Sequence, residues 1–296
     1  MRTHAVAYPL SSSRMSDYLQ LTKPRLNLLV VFTTGVGYWL GVAGHVDPVV
    51  LFHAVVGTAL VAGGSAVFNQ LYEQDVDGLM ARTRLRPLPD GRLTPWRAYM
   101  FGMALSALGL VQLTVGVNHL SAVVAFATLV SYVVWYTPMK RRSSLATVVG
   151  AIPGALPPVI GWAAATNSLT REAWLLFAIV FLWQMPHFLS LAWLFREEYE
   201  RAGFPVLPVV EPTGKSTARQ TVMYTAALIP VSLAPALTGL AGPLYFGVAL
   251  VLGVAFLFLA IRFARDLHRR TARQLFLGSL VYLPLIWLFM IATRVP

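Results

Sequence analysis

Residues 221 to 261 carry no charged side chain. A membrane-spanning helix needs roughly 17–25 apolar residues, so this stretch is too long for one crossing and long enough for two. The "AGP" at 241–243 supplies the turn between them. The same reading finds nine segments of spanning length: about 26–43, 49–69, 98–117, 120–138, 145–165, 173–195, 221–240, 244–261 and 274–293. In lipid the backbone must satisfy its own hydrogen bonds, which for apolar runs of this length means helix. The expected fold is therefore an all-α polytopic membrane protein with nine transmembrane helices. Charged residues make up only 12% of the chain, about half the ~25% of a soluble domain. With no cysteine, disulfides, thiolate metal sites and covalent haem attachment are excluded.

The formal net charge is +11, which in a soluble chain would suggest nucleic acid. Here the basic residues follow topology instead. They fall in the N-terminal arm, after spans 2, 4 and 6, and after span 8; of the 23 Lys and Arg, all but Arg171 and Arg294 lie on one side. The positive-inside rule then predicts a cytoplasmic N-terminus and an external C-terminus, and the expected location is the cell inner membrane, as a multi-pass protein. The lipid bilayer is the expected partner, and nucleic acid is not. Residues 1–25 read as a cytoplasmic arm and 26–296 as a single nine-helix domain, the first span being retained because no small-residue cleavage site precedes it. Two long cytoplasmic loops, about 73–97 and 196–220, each follow a span ending in polar residues. Their placement four helices apart suggests two related halves, and both loops could carry short amphipathic helices that close over a cavity.

The stretch "FNQLYEQDVDGLMARTRLRPL" at 68–88 concentrates charge in a chain that otherwise avoids it. Asn69, Glu73 and Asp77 are spaced four apart, so on a helix they share one face. Asp75 points elsewhere. An oxygen-only row of one amide and two carboxylates suits Mg²⁺, which takes hard ligands and is usually completed by substrate phosphates. Arg82 and Arg86, also four apart, follow at once. Arginines beside a carboxylate row make sense with an anion between them, and a diphosphate bridged by Mg²⁺ meets that need; alternatively, the arginines merely anchor a wet helix end.

Other candidates lie further along. Lys140, Arg141 and Arg142 in "YTPMKRRS" either bind phosphate or haem propionates or serve as positive-inside anchors. Pro153, Pro157 and Pro158 predict a kinked fifth span whose freed carbonyls need partners. His187 lies inside span 6, where an ionisable group is costly enough to be a candidate site. Glu197, Glu198 and Tyr199 either support a second metal or form a solvated helix end.

Together these motifs resemble the UbiA superfamily of intramembrane prenyltransferases. Residues 69–88 are similar to its first metal–diphosphate motif, an Asn and two acids at spacings of four before R-T-x-x-R-P-L. The haem-modifying branch is indicated by several features. They are "LTKPRLN" at 21–27 (with Lys23 and Arg25), Glu73 in place of Asp, "YTPMKRRS" at 136–143 and "GAIPGALPPVIGWAA" at 150–164. "WQMPHFLSLAW" at 183–193 and "EEYERAGFPVLPVV" at 197–210 complete the set. The paired Asp residues of the superfamily's second motif are replaced by His187 and then Glu197–Glu198, which leaves the second metal site open.

The resemblance, covering about residues 16–285, implies nine helices around a central cavity. It implies farnesyl diphosphate and haem b as substrates, Mg²⁺ as cofactor, and haem O plus diphosphate as products. A haem A synthase would be the partner that consumes the product. Asn69, Glu73 and Asp77 would hold the metal, with Arg82 and Arg86 in the catalytic set. Lys23, Arg25, Lys140, Arg141 and Arg142 would bind substrate charge, and Glu197 and Glu198 would join the substrate-binding set. Tyr72, Tyr136 or Trp183 would shelter the allylic cation, and His187 would contact the haem as an axial ligand or by orienting it.

Three rival readings remain at this stage. A quinone-precursor acceptor would call for paired Asp residues rather than P-H-F in span 6. An ion-coupled transporter would use Glu73 and Asp77 but not the arginines. A haem-binding electron carrier would need paired axial ligands, yet His53 lies near the opposite membrane face.

Overall fold

The computed structural model describes residues 14–295. The expected N-terminal arm therefore falls mostly on residues 1–13, Arg2 included, which lie outside the described residues, as does Pro296. From Arg14 onward the arm is a short helix, α1 (Arg14–Leu21), followed by α2 (Pro24–Gly41), α3 (Pro48–Asp77) and α4 (Pro95–Gly116). Next, α5 (His119–Val130) runs through a π-helical segment (Ser131–Tyr136) into α6 (Thr137–Met139). Then come α7 (Ala146–Ala155), α8 (Pro157–Thr166), α9 (Arg171–Leu194), α10 (Arg196–Arg201) and α11 (Leu207–Val210). The last three are α12 (Lys215–Leu237), α13 (Pro243–Asp266) and α14 (Arg269–Ala292).

The starts are written in the sequence. Proline opens α2, α3, α4, α8 and α13, where its fixed φ suits the first turn and its missing N–H is not needed. Asp47 caps α3 by accepting from the N–H of Val49 and Val50, Thr94 caps α4 through Arg97, and Asn118 caps α5 through Ser121.

Among the described residues, eight helical runs are long and apolar enough to cross a membrane, counting α5 to α6 and α7 to α8 as one run each. The expected first span, 26–43, is present as α2, but its 18 residues open with Arg25 and Asn27 and it falls short of the other eight in apolar length. The described residues thus show eight spans where nine were expected, α2 being the more polar helix left out of that number.

Packing divides the helices into two groups. In the first, α3 lies along α4 and α2 crosses α8. The α2–α8 crossing is so close that a Cβ on Gly37 would lie 2.0 Å from the Pro158 carbonyl oxygen, and one on Gly161 would lie 1.9 Å from that of Thr34. Only glycine fits at these two points. In the second group α9, α12, α13 and α14 surround a core that includes Leu176, Ile179, Tyr245, Phe263 and Trp287. The two groups join where α7 and α8 pack on α9. The prolines of the fifth span do more than kink it: the helix breaks at Leu156, and the Gln184 side-chain amide of α9 donates to the Ala151 carbonyl at 3.2 Å.

Both long loops differ from their expected limits. Helix α3 continues to Asp77, so the first loop starts at Gly78 rather than near 73; α12 begins at Lys215 rather than after 220. Burial explains the first difference, because Asn69, Gln70, Glu73, Val76 and Asp77 are all covered by neighbours and hold the polar end of α3 in register. The second loop does carry short helices, α10 and α11. It folds onto the end of α3, where Ala202 and Phe204 pack against Val76 and Met80.

Candidate active site

One end of the helix bundle gathers the row on α3 and basic side chains from three other segments. Asn69, Glu73 and Asp77 are each no more than 2% exposed, as one buried face requires. Each meets a different base. The Lys23 Nζ donates to Asn69 Oδ1 at 2.7 Å. Lys140 Nζ donates to Glu73 Oε2 at 3.0 Å and lies 2.9 Å from Oε1. Arg86 NH1 pairs with Asp77 Oδ2 at 2.6 Å. Asp75, on the outer face, pairs with Arg141 at 2.8 Å.

Local backbone explains how the bases arrive. Lys23 forms the turn between α1 and α2 with φ of 49°, a left-handed conformation uncommon for a side chain this large. The turn is held from below, since the Gln70 side-chain amide donates to the Leu21 carbonyl at 2.7 Å. Arg86 sits in a chain of turns whose entry is fixed by the Thr83 hydroxyl donating to the Asp77 carbonyl at 2.7 Å. Because this segment is not helical, Arg82 and Arg86 do not share a face: Arg82 lies at the exposed rim, its guanidinium 5.2 Å from the Phe195 ring. Lys140 Nζ lies 4.8 Å over the Phe204 ring, a cation–π contact that holds its head inward.

The charges are unevenly settled. Burial first, then the nearby Arg86, pulls Lys23 down from the ordinary lysine value to about 7, with Glu73 and Asp77 opposing. For Lys140 burial also acts downward, but the Glu73 carboxylate outweighs it and holds the ammonium above its usual value.

A metal fits these residues. Asp77 Oδ1 is a buried oxygen without a hydrogen-bond partner, and Glu73 Oε1 is met only by the Lys140 ammonium 2.9 Å away, an arrangement that is costly for the aspartate unless something else binds it. Among the described residues no group of three or more His, Asp or Glu could form a cage. Two carboxylates and an amide instead suit a hard cation completed by phosphate oxygens.

The Thr137 hydroxyl was not among the expected site residues. It donates to the Tyr132 carbonyl at 2.8 Å, a five-residue reach made by the π-helical turn, and accepts from the Asn69 Nδ2 at 3.4 Å. This turns the Asn69 amide so that Oδ1 faces Lys23. Pro138, which lacks an N–H for the preceding turn, was the available signal. Phe204 and Phe195 were also missed as platforms for Lys140 and Arg82.

The remaining expected residues scatter. Arg25, Arg142 and Glu197 are exposed, as is Arg141 with its Asp75 partner. Tyr72 is 40% exposed beneath Arg141, on the outside of α3; one residue before Glu73 is about 100° round the helix. Tyr136 is half-buried and its ring lies against Gly150 of α7. Glu198 turns one buried, unpartnered oxygen inward. Trp183 is buried and donates its Nε1 to the Ser279 carbonyl at 2.8 Å. His187 stacks on Trp183 with ring centroids 5.0 Å apart, faces Phe276 at 4.8 Å, and places Nδ1 2.8 Å from the Ser279 hydroxyl.

Helices of membrane length around a buried acid–amide row, ringed by bases at one end, define a multi-pass membrane protein with a charged site at that end. The chain belongs to the UbiA prenyltransferase family, whose sequence profile matches residues 30–290. It is 52% identical to the protoheme IX farnesyltransferase of Solibacter usitatus over 95% of this chain and 99% of that one. It is 42% identical to the protein of the same name from Koribacter versatilis over 98% and 97%. The fold matches a solved structure of digeranylgeranylglyceryl phosphate synthase with a TM-score of 0.81, 16% identity and coverage of 94% and 98%. It also matches a UbiA homolog from Archaeoglobus fulgidus bound to GPP and Mg²⁺, with a TM-score of 0.66, 17% identity and coverage of 94% and 100%.

Proposed function

We propose that the chain transfers the farnesyl group of farnesyl diphosphate to the vinyl group of haem b, with addition of water, giving haem O and diphosphate. The observation that carries this reading is the buried row of Asn69, Glu73 and Asp77, each already in contact with a base that could turn to a diphosphate. The full-length relatives named for this activity support haem b as the acceptor.

Asn69, Glu73 and Asp77 would hold the cation, and Mg²⁺ suits their hard oxygens. When bound it supplies positive charge against the leaving diphosphate. Lys23, Lys140 and Arg86 surround the same place, with Arg82 at its rim; these four donors would stabilise the negative charge that grows as the allylic C–O bond breaks. The haem vinyl carbon attacks the allylic carbon, water adds to the resulting porphyrin-side cation, and a proton leaves. No covalent enzyme intermediate is needed, so orientation and electrostatics are the main tasks. Of the aromatic candidates, the half-buried Tyr136 is better placed to face a cation than Tyr72, which faces outward, or Trp183, which is committed to the core.

The same reading places α2 as the ninth span and residues 26–296 as one domain. The chain would lie in the cell inner membrane with the site end and N-terminus cytoplasmic and the C-terminus external, following its basic residues. A haem A synthase would take up the product.

The test is a membrane assay with haem b, farnesyl diphosphate and Mg²⁺, reading haem by mass and comparing wild type with Asp77→Asn. A farnesyl-plus-water adduct from wild type alone is expected. Prenylation of an aromatic acid instead of haem would overturn the acceptor.

A further inference from the structure

His187 is set in an aromatic wall, and its hydrogen bonds fix more than its position. The Ser279 hydroxyl has one proton, and it donates that proton to the Phe276 carbonyl at 2.6 Å, the usual backward bond of a helical serine. The Nδ1 of His187 lies 2.8 Å from the same oxygen. A hydroxyl proton directed to that shorter carbonyl contact leaves the oxygen to accept from the imidazole, the arrangement in which neutral His187 carries its proton on Nδ1. Nε2 is then the unprotonated nitrogen. Trp183 and Phe276 press the two ring faces, and the Trp183 Nε1 bond to the Ser279 carbonyl, 2.8 Å, ties that wall to α14. The ring can neither flip nor slide easily, and the edge carrying the lone pair is set by the wall.

We propose that Ser279 is a positioning residue: it holds His187 in the Nδ1–H form so that Nε2 is presented as a ligand to the iron of a metalloporphyrin. This rests on the haem reading of the preceding subsection. The chemistry follows a general pattern, in which a metal-ligating imidazole donates its other N–H to an oxygen acceptor that fixes tautomer and ring orientation and raises basicity. Ser279 is fully buried and lies one helix away from His187, so its effect on iron passes through the imidazole.

The experiment is a titration of purified protein with ferrous and ferric haem b, followed by absorption and by the iron–histidine stretch in the resonance Raman spectrum. Wild type, His187→Ala, Ser279→Ala and Ser279→Thr are compared. Ser279→Ala removes only the hydroxyl, because Trp183 is bonded to the backbone carbonyl. Expected results are an imidazole-ligated spectrum in wild type and its loss in His187→Ala. Ser279→Ala should bind haem about 10–100-fold more weakly, the usual effect of losing such a supporting bond, with a lowered iron–histidine frequency; Ser279→Thr should restore both. An unchanged spectrum in His187→Ala would overturn the ligation. An unchanged affinity and frequency in Ser279→Ala, with His187→Ala impaired, would overturn the role of Ser279. Product formation is read on the same preparations: ligation without farnesyl transfer would count against the proposed function and leave this proposal standing.

Discussion

Replacing Lys140 with Met separates the two duties that its ammonium performs. In the substrate-free protein Lys140 balances the Glu73 carboxylate, which is 2% exposed; the lysine side chain itself is 22% exposed. Removing one partner of a fully buried pair costs about 3–5 kcal/mol. The partly open lysine end brings this to about 2–3 kcal/mol, or a drop in Tm of roughly 5 °C for a chain of this length. Met keeps the aliphatic volume against Phe204, so packing loss adds little. A divalent cation can replace the missing charge on Glu73 without first displacing a lysine. The variant should therefore gain more stability than wild type from Mg²⁺ with inorganic diphosphate, about 2.7 kcal/mol at a hundredfold excess over Kd. Its apparent affinity for the metal should also be the higher. Turnover moves the other way: without one donor to the leaving group, kcat should fall about 10²–10³-fold. Thermal unfolding in detergent with EDTA, then with Mg²⁺ and diphosphate, together with single-preparation turnover by mass, measures all three. Equal Mg²⁺-dependent stabilisation of both proteins would refute the competition for Glu73, and an undiminished kcat would refute the role of Lys140 toward diphosphate.

Three further outcomes follow from the same geometry. Thr137→Val removes the acceptor that orients the Asn69 amide, so the Mg²⁺ concentration for half-maximal activity should rise about tenfold while Thr137→Ser stays near wild type. Lys23, with a native value of about 7 against an ordinary ~10.4 when unfolded, loses its proton earlier in the native state. The unfolded chain binds more protons between those values, so the Tm of substrate-free protein should rise from pH 7 to 9, and Lys23→Met should flatten that rise. Gly37→Ala forces a Cβ to within 2.0 Å of the Pro158 carbonyl and should destabilise the α2–α8 crossing by about 1–3 kcal/mol, seen as a lower Tm in detergent.

What the sequence revealed depended on how local the cause was. Spacing alone puts Asn69, Glu73 and Asp77 on one face, and the structure buries all three. The same geometry turns Tyr72 outward. The end of α3 was set too early because hydropathy falls at Asn69, whereas the helix is carried on by neighbours that cover its polar turns. A spacing of four did not make Arg82 and Arg86 neighbours, since that segment folds as turns rather than helix. Pairings across the chain were beyond reach: Lys140 meets Glu73 from 67 residues away and Ser279 meets His187 from 92. The first span was found by its apolar run, but Arg25 and Asn27 leave it less apolar than the rest.

The segment after α9 links the helix that carries His187 to the bases around the buried row on α3. The wall of Trp183 and His187 belongs to α9, which ends at Leu194; the next residue, Phe195, lies against Arg82, and Phe204 lies under Lys140. Bases from the first helix group thus rest on aromatic rings attached to the helix that carries His187. A displacement of α9 would move Phe195 with it, because the two are joined without an intervening loop. Phe204 is fixed from the other direction by Val76 and Met80 at the end of α3. The segment between these phenylalanines, α10 and the turn at Ala202 and Gly203, is therefore the element that must deform if α9 shifts relative to α3. Substitutions at Phe195 should be felt at Arg82, while substitutions at Phe204 should act through Lys140 and Glu73.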